Sequence, residues 1–128
     1  MTDAEILWLV NKLETCQLAK TDFHHRDHLT VAAVYLMAGD LESALVRMRD
    51  TLKRFAAHHE VGNLYHETLT RFWLMQVDQR IDKNACLADA VRKIHSELTD
   101  KALPAKHYSK QRLDSPQARE QWLPPDLG

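Results

Sequence analysis

The sequence predicts an all-α fold, an up-down bundle of about five helices followed by an ordered C-terminal tail that carries a short helix. Three observations predict it. Apolar residues recur at intervals of three and four along most of the chain, with little of the alternation that strands need. The four prolines, Pro104, Pro116, Pro124 and Pro125, all lie in the last quarter. The first 100 residues contain only two glycines, Gly39 and Gly62, each where a helical pattern stops. A chain of 128 residues can bury one core. Residues 1–100 are therefore read as the bundle and 101–128 as a tail packed on it, in a single domain.

Each element has its own signals. The first helix is expected from Asp3 to about Leu18, capped by Thr2 with Glu5 as its capping-box partner, and striped by Ile6, Leu9, Val10 and Leu13. A turn at Lys20–Asp22 leads to a second helix from about His24 to Ala38, with Asp22 or a neighbour as cap. Asp40 caps a third helix carrying Leu41, Ala44, Leu45, Met48, Leu52 and Phe55 at helical spacing, which fades near His58 and His59. Asn63 is the expected cap of a fourth helix from about Leu64 to Arg80, with Leu69, Phe72, Trp73 and Val77 inward. Asn84 is expected to cap a fifth, burying Leu87, Ala90, Val91, Ile94 and Leu98. Ser115-Pro116 reads as N-cap and first residue of one short tail helix through Gln121.

Composition narrows the function classes. Seventeen basic and 18 acidic residues leave a net charge of −1, with no basic run, so nucleic acid is not an expected partner. The acidic start is not that of a signal peptide, and no stretch approaches a membrane span. Cys16 and Cys86 lack CxxC partners, which fits buried structural thiols and a cytoplasmic location. The unusual count is eight histidines.

Short turns favour antiparallel neighbouring helices, and in an up-down order all eight histidines map to one end of the bundle. His24, His25 and His28 open the second helix, His58 and His59 close the third, His66 opens the fourth, His95 closes the fifth and His107 follows in the tail. The stripe Leu36, Ala32, Leu29 runs back to His25, with His28 three residues on, and the stripe Val77, Trp73, Leu69 runs back to His66. Glu67 lies about 100° further round its helix, within reach of the same pocket. Imidazole and carboxylate donors in this number suit zinc first, and iron, manganese or nickel at higher coordination. The expected metal ligands are thus His25, His28, His66 and Glu67, with Glu67 and His107 as acid–base groups. A metal-bound water would then serve hydrolysis. Two helix starts at this end also favour an anionic small molecule.

Plainer roles compete with these. His58, His59 and His95 sit at helix C-termini, where positive charge is favourable in any case. Glu67 can act as a capping or surface residue, and His25, His28 and His66 as hydrogen-bonded histidines at the core edge. No HExxH, GxSxG, Walker or Rossmann pattern occurs.

The combination Phe23-x-His25-x-x-His28-Leu29, Tyr65-His66-Glu67-Thr68-x-Thr70, His107-Tyr108-Ser109, Leu113-x-Ser115-x-x-Ala118-Arg119 and Pro125-Asp126-Leu127 resembles a group of small, uncharacterised, all-helical bacterial proteins. The likeness spans about residues 23–127. It favours His25, His28, His66, Glu67 and His107 over the other histidines. It also implies that the tail belongs to the site, with Ser109 and Arg119 as further polar contacts. Three functions are therefore expected in turn. The first is a metal-binding protein, as a metal-assisted hydrolase in its catalytic form. The second is a metal-free protein that binds a small ligand or does acid–base work. The third is a helical interaction module without catalysis.

Overall fold

A computed structural model describes all 128 residues, and it is an all-α bundle without strands. Helix α1 (Asp3–Glu14) begins with the expected capping box. The Thr2 hydroxyl accepts from the Glu5 amide at 3.2 Å, and the Glu5 carboxylate accepts from the Thr2 amide at 3.0 Å. It stops four residues before Leu18 because Cys16 adopts φ +59°, which a right-handed helix cannot continue. Thr15 also turns its hydroxyl back onto the Asn11 carbonyl at 2.7 Å. Leu18 is buried all the same, so the stripe reaches past the helix that began it.

Helix α2 (His25–Ala38) is the centre of the molecule. Its residues Leu29 to Leu36 are all buried, eight in succession, so no face of this segment meets water. A helix apolar all round must be surrounded, and α2 packs on α1 and on α3 (Leu41–His58), α4 (Glu67–Asp78) and α5 (Leu87–Glu97). The stripe Leu36, Ala32, Leu29 and His25 expected from the sequence accounts for only one side of it. Its start is closed by Asp27, which accepts from the His24 amide at 3.0 Å, and not by Asp22. Asp40 caps α3 as expected, through the Ser43 amide at 2.8 Å.

Two starts fall later than predicted. Residues Gly62–Leu64 form a 3-10 turn, and α4 begins only at Glu67 with His66 as its cap, in place of Asn63. The start of α5 is Leu87, after an Asx turn in which Asp82 accepts from the Asn84 amide at 2.9 Å. Its free Ala88 amide bonds the Asp3 carboxylate of α1 at 3.0 Å, so the two helix starts are joined across 85 residues.

The tail carries two short helices where one was expected, α6 (Lys110–Leu113) and α7 (Pro116–Glu120), capped by Ser109 and Ser115. It is tied down by buried groups. The Thr68 hydroxyl, fully buried on α4, donates to the Gln121 carbonyl at 2.8 Å and accepts from the Leu123 amide at 3.2 Å. Tyr108, also buried, donates to the Leu123 carbonyl at 2.7 Å. No helix is long and apolar enough to cross a membrane.

A candidate ligand cavity between α2, α3 and α4

The three helices that meet beside α2 leave a cavity of about 550 Å³. Its walls come from α2 (His25, His28, Ala32), α3 (Met48, Leu52, Phe55) and α4 (Leu69, Trp73, Leu74). The turns before α2 and α4 close it with Phe23, Tyr65 and His66, and Lys20 and Lys101 complete the lining. Of the 18 lining residues 12 are apolar. This size and lining are those of sites that enclose a small organic molecule.

The three histidines differ in what their ring nitrogens have left to offer. His25 points Nε2 at the Leu98 carbonyl at 3.1 Å. A carbonyl only accepts, so Nε2 carries the proton and Nδ1 is left with a lone pair and no hydrogen bond. The ring stands edge-on to Trp73 with centroids 4.5 Å apart. His66 is fully committed: Nδ1 accepts from the Leu69 amide at 3.1 Å, capping α4, and Nε2 donates to the Leu113 carbonyl of α6 at 2.8 Å. Burial holds its pKa below the ordinary value.

His28 is the exception. Its ring lies against Phe23 with centroids 4.1 Å apart and makes no hydrogen bond within the chain. Burial, with a smaller push from His25, lowers its pKa from 6.5 to about 4. At neutral pH it is therefore an uncharged imidazole offering one donor and one acceptor to the cavity.

Glu67 lies outside the lining. Arg49 of α3 grips its carboxylate with two hydrogen bonds, Nε to Oε1 at 2.8 Å and Nη2 to Oε2 at 2.6 Å. The Tyr65 hydroxyl adds a third, to Oε1 at 2.7 Å. The Arg49 bonds keep this carboxyl below the usual carboxylate range, and burial together with Glu67 pushes the Tyr65 phenol up. This is a two-pronged ion pair tying α3 to α4.

The expected ligand set is thus divided. His25, His28 and His66 share the cavity, while Glu67 is held by Arg49 and His107 lies outside, its ring 5.8 Å from that of Phe72. Both His66 nitrogens and both Glu67 oxygens are hydrogen-bonded within the chain, and Glu67 does not share the cavity with the three histidines. No group of three or more His, Cys, Asp or Glu side chains is arranged to hold one. Ser109 and Arg119 serve the tail: Ser109 bonds Asp126, and Arg119 donates to the Asn63 and Leu64 carbonyls.

Three other histidines make contacts elsewhere in the bundle. His95 accepts from Arg26 Nε at Nδ1 (3.1 Å) and meets the Thr30 hydroxyl at Nε2 (2.7 Å), joining α5 to α2. His59 places Nε2 on the Leu18 carbonyl at 3.1 Å, and His58 packs against it. Sequence reasoning missed the cavity roles of Phe23, Tyr65, Trp73, Lys20 and Lys101. The first two were visible as aromatics just ahead of His25 and His66, whereas nothing marked the lysines. Comparison of the chain with protein-family models, curated proteins and solved structures finds no match in any of the three.

Proposed function

We propose that this chain binds a small organic molecule in the cavity between α2, α3 and α4. The observation that carries this reading is the His28 ring. It is a half-buried polar group without a hydrogen-bond partner in the protein, on the wall of a largely apolar space. A ligand in the cavity can meet these nitrogens with a hydrogen bond that the protein itself leaves unmade. The reading is one of binding before catalysis. A histidine protonating near pH 4 is a weak base at neutral pH, where general bases work best with pKa values near 7. Glu67, the other expected acid–base group, is neutralised by Arg49.

The test is a fragment screen by NMR on the wild type and on His28→Phe, which keeps the ring packing on Phe23 but removes both nitrogens. Polar fragments that shift the His28 and Trp73 signals in the wild type are expected to bind at least about tenfold more weakly to the variant, the loss of one buried hydrogen bond. If no fragment moves those signals, the reading is wrong.

A second reading retains a metal. It is favoured by the free Nδ1 of His25 and the unpaired ring of His28, three residues apart on α2 and lining the same cavity. These are two donors, short of the four that a closed zinc site uses, so solute would have to complete the shell. Elemental analysis of protein purified without a histidine tag, beside a His25→Ala/His28→Ala variant, decides it. Near-stoichiometric metal lost in a folded variant would replace the first reading with this one.

A further inference from the structure

The cavity lining is unequal in charge. It contains two lysines, Lys20 and Lys101, and no aspartate or glutamate. Both lysines are exposed, which places them at the mouth, and neither ammonium group makes an ion pair or a hydrogen bond. The nearest acids in sequence do not compensate: Asp22 and Asp100 lie outside the lining, and Asp100 already pairs with Lys106 at 3.6 Å. In a chain of net charge −1, this is a cationic rim around a largely apolar interior.

Such a distribution selects among small molecules. An apolar body gains by leaving water for the side chains of Phe23, Phe55 and Trp73. A negative group gains at the rim and would lose in the interior, where no cation faces it. The lining has no arginine fork, and two flexible ammonium groups make a poor seat for a phosphate dianion but an adequate one for a single carboxylate. Resting on the small-molecule reading above, we propose that the ligand is an amphipathic monocarboxylate, with its carboxylate at Lys20 and Lys101 and its apolar body inside.

The experiment titrates the full chain with decanoate, decanol, decyltrimethylammonium and decyl phosphate. Calorimetry gives the affinities at low salt, and the Trp73 indole N–H signal reports occupancy. Decanoate is expected to bind about five- to tenfold tighter than decanol, from two exposed charge contacts, with the ammonium compound weakest. High salt should shrink the difference. In Lys20→Gln/Lys101→Gln, two surface changes that leave the core intact, decanoate should fall to the affinity of decanol while decanol is unchanged. Equal binding of decanol and decanoate at the Trp73 signal, or tighter binding of decyl phosphate, would overturn the carboxylate and leave the cavity reading standing. Full decanoate affinity in the double variant would overturn the lysine assignment. Failure of all four probes to move the Trp73 signal would remove both proposals.

Discussion

Acid should loosen this fold through His28, and the size of the effect follows from its surroundings. The unfolded chain takes up a proton at this residue near pH 6.5, whereas the folded chain resists until about pH 4. Between those values the unfolded state binds more protons, so stability falls as pH falls. The contribution is fully present above pH 6.5, is lost progressively down to about pH 4, and changes no further below that. A gap of about 2.5 units corresponds to about 3 kcal/mol at 1.36 kcal/mol per unit. Domains of this kind are stable by about 5–15 kcal/mol, so the loss is large enough to measure. His66 and His95 are depressed mainly by burial as well and act with the same sign. Urea unfolding of the wild type and His28→Phe at several pH values from 7 to 4 isolates the His28 share. The difference between the two curves should change by about 3 kcal/mol as pH falls, the wild type losing more than the variant. Parallel curves, or a His28 proton resonance titrating with a midpoint of 6 or above, would refute the reasoning.

Two further outcomes follow from the packing. Glu67→Gln should destabilise by about 2 kcal/mol, below the range for fully buried pairs because Arg49 is partly exposed, and the double change Arg49→Met/Glu67→Leu should recover most of the loss in a denaturation series. Thr68→Val removes the hydroxyl that both donates to Gln121 and accepts from Leu123, so it should cost about 2 kcal/mol and speed amide exchange at Leu123 more than in the core of α2.

Much of the fold was legible because it rests on local signals. The Thr2–Glu5 capping box, the Asp40 cap, the α3 stripe and the Ser115-Pro116 start are written within a few residues of where they act. The errors arose where distant groups decided the outcome. Asn63 is a good cap in isolation, but His66 can both cap α4 and reach the Leu113 carbonyl 47 residues away, and it takes the position. The start of α5 is finished by Asp3, which no local rule could supply. Glu67 was read as a ligand because it follows His66. It turns instead to Arg49, a residue with no mark in the sequence to pair it with Glu67.

The abundance of histidine has an architectural cause, and recognising it is what isolates the site. His25 and His66 each set Nε2 on a carbonyl at the end of a helix, Leu98 closing α5 and Leu113 ending α6, and His59 does the same to the loop carbonyl of Leu18 after α1. Helix ends leave carbonyls without partners, and a neutral imidazole is a compact donor that brings an apolar ring with it. These histidines lie 73, 41 and 47 residues from their acceptors, so the pattern cannot be read from spacing. His95 is likewise consumed between Arg26 and Thr30. A cluster of histidines thus need not signal chemistry. Once the rings that close helix ends and join helices are set aside, His28 is the cavity histidine with both nitrogens free, joined by the single free nitrogen of His25. That difference in hydrogen bonding, and not the histidine count, directs attention to this wall of the cavity.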